Sequence, residues 1–335
     1  MADDRAGAAG PTARAWDSLL SVRDFTAVTG VGFDPVGQVL GTAVVNLGYV
    51  SRGGKCSSTG TYASRTDLAS EQEGSFGRLL RQRYGARRRV LSRVIDECRA
   101  LGADGVIGVT MSIRPFPAGG TEFTMRGTAV RARAEIHPEE PFTSHLSAQE
   151  FARLLRAGWV PAALVFGISL GARHDDLRTR QQTRRRATGE IPGYSDVIRD
   201  ARRDARKQLE KAVTDHGADG VVADQMTLHL SERECPSQEG MRDHVAEVAI
   251  LGTAIASFAR SEGASGKPPL TIMRVNSSPA APGSLRQDTA ADAWTEPEPE
   301  GRFLDRVSSA WSARRVSRNI VSDSDSAGVT RKAPG

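Results

Sequence analysis

Hydrophobic and polar positions along the chain follow the same order twice. Each copy starts with a short helical segment and continues with an apolar run typical of a strand. A long stretch with apolar residues at helical spacing comes next, followed by two more strand-like runs. The copies occupy about residues 20–135 and 146–259. We therefore predict two copies of one folded unit, because a unit of roughly 100 residues can bury a core of its own.

A helix-start motif opens both copies. The pattern L-S-x-x-(D/E)-F begins at Leu20 and returns 126 residues later at Leu146. A serine with an acidic residue three positions later forms a capping box, in which each side chain bonds the other residue's backbone amide. The pattern predicts that a short helix begins after Ser21 and another after Ser147.

Glycines interrupt the strand-like runs at matching positions. Gly41 lies in the first apolar run and Gly167 in its repeat, and both runs are predicted to be buried strands. Gly127 and Gly252 each begin a repeated Gly-Thr-Ala motif in the last strand. Glycine inside a strand often marks a bulge or the close approach of another backbone. We expect these four glycines to pack closely against other strands or subunits, and they are our interface candidates.

A second repeated motif, Gly-Ala-Asp-Gly-Val, ends the long helical stretch in each copy. It begins at Gly102 and again at Gly217, where a glycine cap at the helix C-terminus is expected. Asp104 and Asp219 are placed identically by the repeat. They are either general acid–base residues or, as we favour, residues that hydrogen-bond within their own turn.

The order of elements predicts an α+β fold in each copy. A short helix, a strand, a long helix and two strands place one long helix on one face of a small antiparallel sheet. We assign repeat 1 to residues 19–136 and repeat 2 to residues 145–260, after a disordered N-terminal stub at residues 1–18. The polar stretches at residues 51–75 and 172–192 are predicted to be exposed loops.

The remaining residues, 261–335, have the Ser-, Ala-, Pro- and charge-rich composition of a disordered tail. Between residues 302 and 321, apolar residues recur at helical spacing beside arginines, which predicts an amphipathic helix. The docking candidates of this segment are Phe303, Leu304, Val307, Trp311, Arg314 and Arg315. The segment docks to a protein partner, docks to an anionic membrane surface, or is only a transient helix, and the sequence leaves these alternatives open.

Composition restricts the class of protein. With 39% hydrophobic and 25% charged residues the chain resembles a soluble globular protein, and no apolar run approaches the roughly 20 residues that span a bilayer. The start of the chain does not have the layout of a signal peptide, so we expect a cytoplasmic protein. The net charge is +5. The arginine-rich segments 87–89 and 178–186 lack interleaved aromatic residues, which favours a solvated surface over nucleic-acid binding.

Residues suited to catalysis or metal binding do not recur between the copies. The three cysteines are too few and too scattered for a disulfide framework, and the six histidines neither cluster in sequence nor match between repeats. Sequence motifs for a Ser-His-Asp triad, a P-loop or an H-E-x-x-H metal site are absent. We therefore predict no catalytic residues, no cofactor and no metal site.

Taken in order, the motifs resemble those of the YbjQ-like family, also called the putative heavy-metal-binding domain. The features that carry the resemblance are the glycine-interrupted first strand, the helix that ends in Gly-Ala-Asp-Gly-Val, and the last strand with Gly-Thr-Ala. The resemblance implies two dodecin-subunit-like β-α-β-β units and assembly of single domains into rings, typically pentamers. The family name also implies metal binding, which the ligand inventory does not support.

The leading hypothesis is a non-enzymatic tandem-domain protein that self-associates or serves as a binding scaffold. One alternative is a peripheral membrane or partner-docking adaptor that acts through the basic C-terminal segment. Another is a metal-binding protein. The expected partners are copies of the same chain or, within one chain, the other repeat, and the sequence does not distinguish packing in cis from packing in trans.

Overall fold

The two repeats form two β-sheets, each with a long helix, which confirms the predicted α+β class. The computed structural model describes residues 19–47, 66–71, 75–135, 137–184, 188–234, 242–258 and 272–274, together with Val307 and Trp311. The predicted N-terminal stub at residues 1–18 lies outside these residues, as does most of the predicted tail.

The first repeat forms sheet 1. Its elements are α1 (Val22–Thr29), β1 (Phe33–Val45), β2 (Thr66–Leu68), a 3-10 turn (Ala69–Glu71), α2 (Ser75–Ala100), β3 (Gly105–Pro115) and β4 (Thr121–Ala132). The linker to the second repeat adds β5 (Phe142–Thr143), which pairs in parallel with β3. The strand order of sheet 1 is β1-β4-β3-β5.

The second repeat forms sheet 2. Its elements are α3 (Ala148–Arg156), β6 (Trp159–His174), α4 (Leu177–Arg184), α5 (Pro192–Asp215), β7 (Gly220–Glu234) and β8 (Arg242–Ser257), followed by β9 (Ile272–Arg274). The strand order is β2-β6-β8-β7-β9, so one strand from repeat 1 and one from the predicted tail complete this sheet.

The stretches predicted to be exposed loops contain ordered elements. Residues 172–192 include the end of β6 and helix α4, in which Thr179 is buried. In the first repeat, β2 pairs with β6 across the boundary between repeats. Both predictions were wrong for these parts because polar composition does not report pairing with a distant strand.

The predicted helix ends are confirmed. Ser21 and Ser147 each complete a capping box, with Asp24 and Glu150. Gly102 follows α2 with φ of 64° and Gly217 follows α5 with φ of 60°. These left-handed conformations favour glycine and end both helices.

Gly41 and Gly167 lie directly beneath the long helices. A Cβ on Gly41 would lie 2.3 Å from the carbonyl oxygen of Val90 in α2, and a Cβ on Gly167 would lie 2.3 Å from that of Ala205 in α5. The predicted close approach of another backbone is therefore the approach of each repeat's own helix.

The first strands of the two repeats differ in burial. In β1 buried and exposed residues alternate, and Leu40 and Val44 keep 45% and 50% of their surface exposed. In β6 nearly every residue is buried, including Phe166 and Leu170 at the equivalent positions. The prediction of a buried strand is thus correct for β6, whereas only one face of β1 is buried.

This difference in burial follows from the stacking of four layers, in the order sheet 1, α2, sheet 2 and α5. One apolar cluster joins sheet 1, α2 and the nearer face of sheet 2. A second cluster joins the opposite face of sheet 2 to α5. Sheet 2 is therefore covered on both faces, whereas sheet 1 has an outer face without a helix among the described residues. Helix α5 has an outer face of the same kind.

Replacing Gly41 or Gly167 by alanine should destabilise the fold by about 1–3 kcal/mol, because the added methyl group overlaps the helix backbone. Guanidinium unfolding measures the free energy. The control is Gly85→Ala within α2, where an added Cβ meets nothing within 4 Å. This control should be neutral or stabilising by up to about 1 kcal/mol. Equal effects of all three substitutions would contradict the packing described.

Candidate functional site

The junction between α2 and sheet 2 is built largely by polar side chains. The guanidinium Nη2 of Arg83 lies 3.1 Å from the Oε2 of Glu247 on β8. Both side chains are mostly buried. An ion pair in such a place restricts the relative position of the two repeats, since either charge left alone would be costly to bury.

Tyr84 satisfies the backbone of β6 beyond the end of β2. Its hydroxyl accepts a hydrogen bond from the amide of Ile168 (2.8 Å) and lies 3.3 Å from the carbonyl oxygen of the same residue, to which it donates. Burial raises the pKa of the Tyr84 hydroxyl, so the group remains protonated and able to donate. A single side chain of repeat 1 thus continues the edge pairing that β2 begins.

Arg87 is the largest of the fully buried side chains at this junction, with 1% of its surface exposed. Its Nη1 donates to the carbonyl oxygen of Arg83, and its guanidinium lies 5.6 Å from the ring centre of Phe123. Burial lowers the pKa of the guanidinium to about 10, while the nearby Glu247 carboxylate acts in the opposite direction. Arg87 therefore remains a cation at neutral pH between the two repeats.

The outer face of α5 is the repeat counterpart of this contact surface. Gly41 meets Val90 and Gly167 meets Ala205, so positions in α5 correspond to α2 positions 115 residues earlier. The residues on this face are Ser195, Ile198, Arg199, Arg202, Arg203, Arg206, Lys207 and Glu210. By the same offset, Arg202 corresponds to Arg87.

A third apolar cluster, which we call the seam, lies where α1, α3 and the ends of both sheets meet. Its largest side chains come from both repeats and from the linker: Phe33, Phe142, Phe151, Leu155, Val160 and Phe258. The ring of Phe142 stacks on that of Phe151 with centroids 5.6 Å apart. A Cβ on Gly105 would lie 2.3 Å from the Phe142 ring, so glycine at this position lets the ring lie against β3.

Two of the predicted docking candidates, Val307 and Trp311, are buried in the seam. Trp311 stacks on Phe142 at 4.7 Å and meets Phe33 edge-on at 5.9 Å. The indole Nε1 donates to the carbonyl oxygen of Pro161 at 2.7 Å. Val307 is 0% exposed and Trp311 9% exposed, and both are helical. In this structure the two side chains are thus covered by their own chain. The candidates Phe303, Leu304, Arg314 and Arg315 lie outside the described residues.

The linker next to the seam is fixed by Thr253 of the repeated Gly-Thr-Ala motif. Its hydroxyl lies 2.7 Å from the Nδ1 of His145, accepts from the His145 backbone amide and lies 3.2 Å from the Ser144 hydroxyl. Burial lowers the pKa of His145. The neutral imidazole is therefore favoured at the boundary between the repeats.

The other two glycine interface candidates pack against side chains within their own sheets. Gly127 and Gly252 lie beside Val106 and Val221 of the neighbouring strands, with an added Cβ at 2.6 and 2.7 Å from those side chains. They permit close packing within each sheet, and a role between subunits remains a prediction.

The repeated aspartates bond to the last strand of each repeat. Asp104 accepts a hydrogen bond from the backbone amide of Ala132, and Asp219 accepts one from that of Ser257. The carboxylates thus also bond to a partner that the prediction did not include, because the turn lies against the end of the last strand. Each aspartate fastens the turn after a long helix to its sheet.

Two histidine–aspartate pairs occur at the far end of sheet 2. The Nδ1 of His174 lies 2.9 Å from Asp243, and the Nε2 of His244 lies 3.1 Å from Asp175. In the register, His174 is opposite Asp243 and His244 is opposite Arg173, so the two imidazoles lie on opposite faces of the sheet. Sequence reasoning did not find these pairs, since the partners are 69 residues apart.

These pairs do not create a metal site. No group of three or more His, Cys, Asp or Glu side chains suited to a metal ion occurs among the described residues. Cys98 is buried, and burial raises the pKa of its thiol to about 12, which disfavours the thiolate that binds metals. The described residues do not fit a heavy-metal site, and Cys56 and Cys235 lie outside them.

Membrane-spanning helices are likewise not found in the described part of the chain, where no helix is both long and apolar enough.

Comparison with known proteins identifies the family. The model of the family described as "Putative heavy-metal-binding" (YbjQ_1) matches residues 54–133 and 162–257, one match in each repeat. The chain belongs to the YbjQ-like family. The two matches confirm the tandem arrangement of YbjQ-like domains predicted from the repeated motifs.

A curated relative of this YbjQ-like chain comes from Mycobacterium tuberculosis (strain ATCC 25618 / H37Rv). It is named "Encapsulin nanocompartment protein Rv1762c" and is 30% identical over 251 residues. The alignment covers 72% of this chain and 86% of the relative. The similarity therefore extends over most of both proteins.

Tyr84→Phe should lower the free energy of unfolding by about 1–3 kcal/mol, because it leaves the amide and carbonyl of Ile168 without the hydroxyl. Hydrogen exchange provides a local measurement: the Ile168 amide should lose more protection than amides in β4 of sheet 1, which share only the global loss of stability. Unchanged protection of Ile168 would show that the hydroxyl does not seal this strand edge.

Stability should decrease as the pH falls below about 6.5, the ordinary histidine pKa of the unfolded chain. Burial lowers the folded pKa of His145, so in this range the unfolded state binds more protons than the folded state. One proton gives a slope of at most about 1.4 kcal/mol per pH unit. Urea unfolding at several pH values should show a smaller slope in His145→Gln. Thr253→Ser retains the hydroxyl and should behave like the wild type; identical slopes in all three would refute the prediction.

Proposed function

We propose that this YbjQ-like chain is a non-enzymatic scaffold that self-associates head to tail, with α5 of one copy on the outer face of sheet 1 of the next. The observation that carries the proposal is the layer order, in which α2 covers sheet 2 within the chain. At the two ends, the same kind of helix face and the same kind of sheet face are not covered by any of the residues that the structure describes.

The repeat correspondence predicts which residues meet. Arg87 and Arg83 of α2 lie near Glu247 of sheet 2. At an offset of 125 residues, given by Gly127 and Gly252, Glu122 of sheet 1 is the counterpart of Glu247. Arg202 of one copy should therefore approach Glu122 of the next.

The apolar part of the contact has counterparts as well. Leu40 and Val44 on the outer face of sheet 1 correspond to Phe166 and Leu170, which contact the α2 layer. Leu40 and Val44 lie on the same exposed face of β1, and a contiguous apolar patch with a polar rim marks a surface that binds another protein.

The contact in trans should be weaker than the contact in cis. Within the chain, β2 pairs with β6 and Tyr84 bonds Ile168. In repeat 2 the segment before the long helix forms α4, and Arg199 stands at the position of Tyr84. The α5 face also carries more positive charge, which adds repulsion between neighbouring arginines and makes the contact dependent on salt. A head-to-tail contact of this type closes into a ring or continues as a filament.

The relative's name supports an assembled state. The M. tuberculosis relative is called an encapsulin nanocompartment protein, and we extend to this chain a role within a protein assembly. The alternatives from the sequence have less support. An adaptor that uses Trp311 would first have to release it from the seam, and the described residues do not fit a metal site.

Sedimentation velocity of the full chain should show concentration-dependent association. Arg202→Glu and Leu40→Asp, on the two opposite faces, should each raise the dissociation constant about ten-fold or more. Combining Arg202→Glu with Glu122→Arg should restore part of the lost affinity. The control is Arg23→Glu on the exposed surface of α1, which should associate like the wild type. A wild-type chain that remains monomeric at micromolar concentration would refute self-association.

A further inference from the structure

We propose that the edge strand β7 pairs antiparallel with β7 of a second copy, so that two molecules join their second sheets into one continuous sheet. This two-fold contact goes beyond the head-to-tail contact of α5 with sheet 1 and uses another surface. Among the described residues, β9 covers the outer edge of β7 over Gly220–Val222 alone. The proposed contact uses the part of β7 from Met226 onward.

The backbone of β7 presents hydrogen-bonding groups to its outer edge. The Tyr84 hydroxyl bonds both backbone groups of Ile168, so these groups point away from β8. Bonded positions alternate along an antiparallel ladder, so the next residue of β6, Ser169, bonds its partner Val248. Val248 thus bonds towards β6, and its partner on β7, Leu228, points its N–H and C=O away from β8. No backbone partner for Leu228 occurs on that side among the described residues.

Leu228 and Leu230 expose apolar surface along the same edge, with 45% and 54% of their surface accessible. Their partners on β8, Val248 and Ala246, are fully buried in the cluster beneath α5. Residues paired across strands share a face, so both leucines lie on the α5 side of the sheet. Residues 226–230 include no proline, lysine, arginine or acidic residue, which are the means by which natural edge strands avoid pairing.

The equivalent edge of repeat 1 is protected. Gly105 begins β3 and Gly220 begins β7, so equivalent positions are 115 residues apart, and each strand has one irregularity before the compared part. Pro115 therefore stands at the position of Leu230. Proline lacks the N–H that an added strand would bond, and it is typical of edges that avoid pairing. Strand β3 also ends at this proline, whereas β7 continues to Glu234.

Side chains of α2 close the outer edges of β1 and β6. Glu97 accepts a hydrogen bond from the amide of Leu40 at 2.6 Å, and Arg93 donates to the carbonyl oxygen of Thr42. Tyr84 does the same for β6 with its single hydroxyl. In the described part of the chain no side chain closes the edge of β7 in this way, so its backbone groups are available to another strand.

A second copy is the occupant because the edge is self-complementary. A two-fold axis at His229 places Leu228 opposite Leu230 of the second copy, and this apolar pair forms twice on one face. On the other face Thr227 is opposite Ser231 of the second copy, and His229 is opposite its own equivalent. Residues whose backbone groups point outward then face each other, as antiparallel pairing requires.

Disulfide trapping of the full-length chain tests this register. All variants carry Cys56→Ser and Cys235→Ser, which leaves the buried Cys98 as the remaining native cysteine. His229→Cys should form an interchain disulfide at micromolar concentration under mild oxidation. At the two-fold axis the two residues form a non-hydrogen-bonded pair with Cα atoms about 4.5 Å apart, which a disulfide can bridge.

Ser231→Cys is the matched control on the same face. In the proposed register it lies about 14 Å from its equivalent in the second copy, so chains with this substitution should not crosslink to each other. Mixed with chains that carry Thr227→Cys, they should form the disulfide-linked heterodimer, because these two positions are opposite each other.

Two substitutions at the edge test whether strand pairing causes the trapping. Leu230→Pro introduces the residue of repeat 1, and Leu228→Lys adds a charge but keeps the N–H. Each should reduce the disulfide yield of His229→Cys about ten-fold or more, with little change in melting temperature, because neither removes a bond to β8. With Arg202→Glu the trapped dimer should persist, even where the contact through α5 is lost.

Three results would overturn the proposal. The first is the absence of a dimer in His229→Cys, and the second is a dimer formed by Ser231→Cys alone. The third is a His229→Cys dimer that persists with both edge substitutions or disappears with Arg202→Glu, since the disulfide would then report a random encounter or the α5 contact.

Discussion

Helix α2 packs against two sheets at once, and the difference between the two repeats follows from that constraint. In the C-terminal half of the helix, Val90 and Val94 pack against Gly41 of sheet 1 as apolar contacts. The N-terminal half also contacts sheet 2, which brings Arg83, Tyr84 and Arg87 into buried surroundings. Buried polar groups are costly unless they are paired. Glu247 and the open backbone edge of β6 provide partners for Arg83 and Tyr84, and the polar side chains thereby fix the register of one repeat on the other.

Features determined by local chemistry could be predicted from the sequence. The capping boxes at Ser21 and Ser147 need only residues three positions apart, and the left-handed glycines need only the end of a helix. Gly41 and Gly167 were also informative, since a glycine kept twice inside a strand indicates a neighbour too close for a side chain. That the neighbour is the helix of the same repeat required the structure.

Features that depend on distant residues were missed. Of these features, the one that the sequence came closest to indicating is whether one or both faces of each repeat's first strand are covered. On the face turned away from the repeat's own long helix, β6 has Phe166, Ile168 and Leu170. The equivalent residues of β1 are Leu40, Thr42 and Val44, and the threonine already indicates a more solvent-exposed face. Strand β2 and the histidine–aspartate pairs gave no comparable signal. Their partners are brought together only by the strand register, which a sequence pattern at short range does not contain.

The repeated and unrepeated residues have different structural tasks. Residues kept in both copies hold each helix on its own sheet: the capping serines, the glycines beneath the helices and the aspartates that bond the last strands. Residues that differ join one repeat to the other, among them Tyr84, His145 and Phe142. A duplicated fold needs such divergence, because two identical units would present identical faces, and the contact between them could then be repeated with further units. Trp311 is a further unrepeated residue that contacts both repeats, since it binds a groove that neither repeat could form alone.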